Sequence, residues 1–136
     1  MKGFLLDTCI VVFLFRDKYN VASKLDKIGL DNCYISEITI AELQAGVEKS
    51  SSRHFNQMML DRFVQMVNVI PFSSVIKRYA KEKVATDKQG TPVADFDLLI
   101  GCSALENSLI LVTENVKHFS YIPEIVIENW INRESN

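Results

Sequence analysis

The sequence predicts an α/β fold in three layers, a central and mainly parallel sheet of four or five strands flanked by helices on both faces. Short apolar runs that read as strands alternate with helical stretches along the chain. Such alternation requires crossover connections, which make neighbouring strands parallel. No repeat, low-complexity tract or linker interrupts the 136 residues, so residues 1–136 read as one domain around one core. A hydrophobic fraction of 48%, with 24% charged residues, 5 Gly and 3 Pro, excludes a disordered chain.

The elements follow in order. Gly3 to Leu6 reads as a first strand and Thr8 to Phe15 as a helix; Val21, Ala22, Leu25 and Ile28 then recur at helical spacing. Cys33-Tyr34-Ile35 is a short strand. Helices follow from Ile38 to Lys49 and from about Arg53 to Met66, joined by a polar serine stretch that starts at Ser50. Val67 to Ile70 makes a third strand, closed by Pro71. Ser73 or Ser74 can cap a helix that runs to Gln89 and stops at Gly90. Asp95 to Glu106 is a further helix, Leu109 to Val112 the clearest buried strand, and Ile125 to Ile127 a last one.

Charge narrows the function. Lys+Arg number 15 against 17 Asp+Glu, a formal charge of -2, which excludes nucleic-acid binding by bulk basicity and leaves room for a local basic path. The longest apolar run, Cys9 to Phe15, falls far short of the roughly 20 residues that span a bilayer. Met1 to Leu6 starts like a secretory leader, but Asp7 interrupts it. Cys9, Cys33 and Cys102 are odd in number, far apart and set among apolar residues, so they read as buried thiols of a reducing compartment. A cytoplasmic protein with no membrane association is expected.

In parallel sheets, ligands bind beyond the carboxyl ends of the strands. Asp7 and Thr8 follow the first strand, Glu42 lies one turn into the helix after the second, and Asp97 stands near the start of the helix before the fourth. Singly, each acid has an ordinary explanation. Asp7 can cap a helix, Thr39-x-x-Glu42 matches a capping box, and Asp97 suits a helix dipole. Together they fall at one edge of the sheet with no cationic partner nearby in sequence. Clustered carboxylates need a counter-cation, and an all-oxygen set selects Mg2+, for which Mn2+ can substitute. Such a metal serves phosphodiester hydrolysis. Asp95, two residues before Asp97 on one helix, points to another side and reads as an N-cap or a supporting acid; Thr8 reads as a supporting polar residue.

Four segments then carry a resemblance: Phe4-Leu5-Leu6-Asp7-Thr8, Ser36-x-x-Thr39-x-x-Glu42-Leu43-x-x-Gly46, Gly90-Thr91-Pro92-x-x-x-x-Asp97-Leu98-Leu99-Ile100, and Leu111-Val112-Thr113-x-Asn115-x-x-x-Phe119. In this order and spacing the chain resembles PIN-domain ribonucleases, and more narrowly the VapC toxins of bacterial toxin–antitoxin pairs, from residue 4 to about 130. The resemblance implies a Mg2+-dependent endoribonuclease with Asp7, Glu42 and Asp97 as metal-holding acids, and Thr113 and Asn115 as polar residues of the last active-site strand end. It also implies RNA substrates, tRNA among them, a homodimer, and a small antitoxin that covers the site and through which alone DNA is engaged. His118 stands where many relatives carry a fourth acid, and Cys9 where many have Asn or Ser. Glu114 is a poor substitute for that acid, because on an extended strand it faces opposite to Thr113 and Asn115.

Lys117 and His118, beside the expected site, are candidate RNA contacts. Lys77, Lys81 and Lys88 fall near one helical face, which reads first as a solvated surface. Met58, Met59, Phe63, Val64 and Met66 make the middle helix rich in soft apolar groups, and an outward surplus there would suit an antitoxin or a dimer face. Two other enzymes with acidic sites fit poorly. A haloacid-dehalogenase-type phosphohydrolase wants a second Asp where Cys9 stands, and a receiver domain lacks its set of acids and late lysine. The alternative from another class is a catalytically degenerate PIN module that binds RNA or protein.

Overall fold

The computed structural model describes residues 2–91 and 93–135; Pro92, part of the third segment above, lies outside them. Strand β1 (Phe4–Leu6) leads into α1 (Thr8–Phe15) and α2 (Val21–Ile28). β2 (Cys33–Ser36), α3 (Glu37–Lys49), α4 (Arg53–Met66) and β3 (Asn68–Ile70) follow. After them come α5 (Ile76–Lys88), α6 (Asp95–Glu106), β4 (Ile110–Val112), the short α7 (Val116–Phe119) and β5 (Ile127–Glu128). The strands form one sheet in the order β3-β2-β1-β4-β5, with every neighbouring pair parallel.

That order has a functional consequence. The chain builds outward from β1 through β2 to β3, then returns to the other side of β1 with β4 and β5. The reversal leaves a crevice between the carboxyl ends of β1 and β4, where open α/β sheets bind ligands. Asp7 and Thr113 follow those two strands, and the Asp7 N–H donates to the Val112 carbonyl at 2.9 Å.

Side chains alternate across the sheet with the strand period of two. Leu6, Ile35 and Val112 join Ile10, Val11, Leu43 and Phe63 on one face. Leu5, Ile70 and Leu111 join Leu98, Ile100 and Phe119 on the other. Each fully buried aliphatic side chain contributes about 1.5–3 kcal/mol. α6 is buried from Leu98 through Ala104 without a break; its two ends reach the surface, Glu106 at the last residue and Asp97 near the polar start. Gly101 lets this helix approach the chain after α7: a Cβ there would sit 2.5 Å from the Ile122 Cδ1.

The structure moves several expected boundaries. Neither Ser73 nor Ser74 caps α5. Phe72–Val75 forms a 3-10 turn in which the Ser74 hydroxyl donates to the Pro71 carbonyl at 2.7 Å, and α5 starts directly after it. Gly90 takes a left-handed φ of 71° just past that helix, as its place in the sequence implies. The last strand is Ile127–Glu128, set by pairing with Leu111 and Val112 rather than by the apolar run that precedes it. The three cysteines are free thiols, and burial pushes Cys33 up to about 11 and Cys102 up to about 12. Among the described residues, no helix is long and apolar enough to cross a membrane.

Candidate active site

Asp7 caps α1, its Oδ1 accepting from the Thr8 N–H at 2.7 Å. Its Oδ2 accepts from the Thr113 hydroxyl at 2.8 Å, and the Cys9 thiol lies 3.7 Å from the same oxygen. Only 5% of Asp7 is exposed. Burial raises its carboxyl above the ordinary carboxylate value; the Thr113 and Thr8 hydrogen bonds oppose the rise, and the charge of Asp97 adds to it.

Glu42 does not close a capping box. α3 begins at Glu37, and its cap is Ser36, whose hydroxyl accepts from the Ile38 N–H at 3.0 Å. Thr39 is therefore already helical, and Glu42 is released from any local role. Its Oε1 instead accepts from the Thr8 hydroxyl at 2.6 Å, while the Thr39 hydroxyl lies 3.1 Å from that of Thr8. The first turns of α1 and α3 are thus tied together at the sheet edge.

Asp97 is held less tightly. Its side chain is 28% exposed, and its Oδ2 lies 3.3 Å from His118 Nδ1. Burial raises its carboxyl, the His118 imidazole opposes that, and the charge of Glu42 raises it further. Each carboxylate thus feels another: Asp7 feels Asp97, and Asp97 feels Glu42. The Tyr121 hydroxyl also feels Asp97, its ionisation raised first by burial and then by that charge.

Asp95 departs from its expected place. The N-cap of α6 is Ala94, and Asp95 turns to α5, accepting from the Tyr79 hydroxyl at 2.8 Å with Lys83 Nζ 3.1 Å away. Those partners lower its carboxyl. It braces two helices and does not join the three acids. Asn115 donates its N–H to the Thr113 hydroxyl oxygen at 2.9 Å, with its side chain exposed beside Lys117 and His118. These three line a shallow groove of about 380 Å³ with Glu114, Val116 and Asn129. A second groove, about 310 Å³, starts at Thr8 and Glu42 and runs between α1, α3 and α4 over Val12, Phe15, Leu43, Val47 and Met59.

The donor set fits a hard divalent cation. Asp7, Glu42 and Asp97 offer oxygen, and the basic group that meets one of them is His118, against Asp97. Among the described residues, no three Asp, Glu, His or Cys side chains close into a ready metal cage. A set of only three carboxylates leaves room for an ion that keeps several waters, as Mg2+ does. Sequence reasoning named Thr8 and Thr113 as supporting residues. It missed Tyr121, and it read Thr39 as part of a cap.

The molecule is thus an α/β domain with an acidic crevice at the switch point of its sheet. The chain belongs to the PIN-domain family, whose model matches residues 4–124. It is 36% identical over 132 residues to the Ribonuclease VapC2 of Rickettsia felis, covering 93% of this chain and 97% of that protein. It is 29% identical to the tRNA(fMet)-specific endonuclease VapC of Salmonella typhimurium, over 96% and 99% of the two chains. Among solved structures, it superposes on a chain of the promoter-bound VapBC2 complex of R. felis with a TM-score of 0.80 at 33% identity, covering 93% of this chain and 98% of that one. For the DNA-bound VapBC of S. typhimurium the TM-score is 0.84 at 28% identity, covering 96% and 99%.

Proposed function

We propose that this PIN-domain protein is the toxin of a toxin–antitoxin pair and hydrolyses RNA in a Mg2+-dependent endonuclease reaction, with tRNA among its substrates. The observation that carries the reading is the convergence of Asp7, Glu42 and Asp97, two of them with raised carboxyls, on the crevice between β1 and β4. The names of the relatives above point the same way. Bound there, Mg2+ would be held by Asp7 and Asp97, and by Glu42 directly or through water; it, or Mn2+ in its place, would supply a Lewis acid for a phosphoryl oxygen and activation of a water. Thr113 and the Thr8 N–H hold the Asp7 carboxylate in one orientation. The Thr8 hydroxyl does the same for Glu42. Lys117, His118 and Asn115 form the rim that meets the RNA backbone. Attack of water on phosphorus in line with the leaving 3′-oxygen leaves a 5′-phosphate and a 3′-hydroxyl, that oxygen taking its proton from solvent.

The antitoxin would occupy the groove that leads from Glu42 over Leu43, Val47 and Met59, as an apolar helix or strap. α4 adds exposed Met58 and Phe55 nearby in sequence, whereas Phe63 is core. A second copy of the chain would cover the exposed Phe72, Ile76 and Val84, which makes a homodimer the expected assembly; DNA is reached through the antitoxin. Cleavage of RNA by the purified chain with Mg2+, its loss in EDTA, and its loss in Asp7→Asn and Asp97→Asn test the reading. His118 against Asp97 favours one competing outcome: RNA binding without cleavage in Mg2+ or Mn2+ would assign a degenerate PIN module instead.

A further inference from the structure

The C-terminal segment meets the chain next to the acidic crevice through one side chain, at Glu114. Trp130 is buried, its ring 5.7 Å from that of Phe4, and it anchors the chain after β5. Three residues on, Arg133 forks onto the Glu114 carboxylate, with Nη2 donating to Oε1 at 2.7 Å and Nε donating to Oε2. Its Nη1 donates to the Tyr19 hydroxyl at 2.7 Å. Its Cζ lies 5.5 Å from the ring centre of Phe13 and 5.1 Å from that of Tyr19, two rings that meet edge to face.

Both anchors of this clamp lead to the candidate site. Glu114 sits between Thr113, which donates to Asp7, and Asn115, whose N–H bonds the Thr113 oxygen. The Cys9 thiol lies 3.8 Å from the hydroxyl oxygen of Thr113, next to Glu114 in the chain. Directly after Asn115 the same segment enters the turn that carries His118 to Asp97. Phe13 belongs to α1, whose start holds Asp7 and Thr8. Arg133 therefore ties Glu114, in the segment Thr113–His118, to Tyr19 and to Phe13 of α1.

We propose that Arg133 is a positioning residue of the acidic crevice, fixing the Thr113–His118 segment against Asp7 and Asp97 by clamping Glu114 to α1. An exposed ion pair alone contributes little stability. A planar fork on a carboxylate, stacked on two aromatic faces, specifies geometry instead. With its side chain 62% exposed, Arg133 acts on placement more than on the core. The activity readout rests on the nuclease reading; the exchange readout does not.

The test measures amide hydrogen exchange at Asn115 and His118 by NMR, together with kcat and KM for Mg2+-dependent RNA cleavage, in the full chain. Arg133→Ala is expected to speed exchange at both amides about ten-fold while α3 stays unchanged. It should lower kcat about ten-fold with KM within about two-fold. Glu114→Gln, a gentler change, moves both readouts the same way. The double variant is no slower than Arg133→Ala, because the two residues act as one unit. Arg133→Lys, which keeps the charge and loses the fork, falls between. Unchanged exchange at both amides overturns the proposal. So does an equal rise across α3 and α4, which marks general destabilisation, or a rise in KM at constant kcat, which marks an RNA contact. If the unaltered chain cleaves no RNA, the nuclease reading fails and the exchange data alone decide the role of Arg133.

Discussion

Asp7 and Asp97 share one crevice but sit in opposite kinds of surroundings. Asp7 is almost wholly buried and receives hydrogen bonds from Thr8 and Thr113, with Cys9 beside it. Asp97 is partly exposed and meets the imidazole of His118, itself at the surface. The first is a fixed part of the sheet edge, made where two strands end side by side. The second stands near the start of a buried helix and meets His118, which lines a groove with Lys117. On the proposed reading the contrast is a division of labour: one acid is preorganised by the fold, and the other would adjust to a cation and substrate.

The largest effect expected is the one that treats both alike. Asp7→Asn and Asp97→Asn should each lower Mg2+-dependent RNA cleavage roughly 10³-fold or more, measured under single-turnover conditions. Retained activity in either would break the pairing. Next, the supports should differ. Thr113→Val strips a buried acceptor of its donor, so a stability loss of about 1–3 kcal/mol and a cleavage loss of about ten-fold are expected. His118→Asn, at the exposed acid, should leave denaturant stability within about 0.5 kcal/mol and lower cleavage only about three-fold. Equal costs at the two positions would erase the contrast.

A smaller effect separates the acids by pH. Burial raises the Asp7 carboxyl, so the folded chain holds that proton to higher pH than the unfolded chain does. Stability therefore falls as pH rises from the ordinary carboxylate range through the raised value, and the cost persists at neutral pH. In EDTA near neutral pH, Asp7→Asn should therefore melt higher than the unaltered chain. The gain should shrink toward zero near about pH 4. Asp97→Asn, less buried, should gain less. The smallest effect lies along the other groove. Gly46 is helical, and a Cβ added there would meet nothing within 4 Å. Gly46→Ala should therefore add up to ~1 kcal/mol by helix propensity and leave cleavage unchanged.

Much of the fold was legible because periodicity is local. The bounds of α1, α4 and α6 are those the sequence implies, since the residues that set each helix are neighbours in the chain, although of the three only α1 has a side-chain cap. The turn at Phe72–Val75 was not, because a serine that can cap a helix can equally bond back to the carbonyl of Pro71. The three acids were legible through strand ends and order. Their second partners were less so. Thr39-x-x-Glu42 satisfies a capping pattern, and only Ser36 taking the cap frees Glu42 for Thr8. The two-residue spacing from Asp97 already turned Asp95 to another side, but its partners there, Tyr79 and Lys83 in place of a helix cap, were not legible. Arg133 carried no signal, since its partners Glu114, Tyr19 and Phe13 are remote in the chain.

Apolar residues at strand and helix spacing are written in the chain itself, and with them a parallel α/β sheet that has acids after its strands. Backbone preference and burial act over a few residues, and one chain displays them fully. Packing in three dimensions set the rest: the sheet reverses between β1 and β4, Asp7 meets Thr113 there, and the C-terminal segment locks onto Glu114. Those contacts join residues far apart in the chain that share no element. Hydrogen bonds and charge act over ångströms, so packing determines which distant groups come within reach.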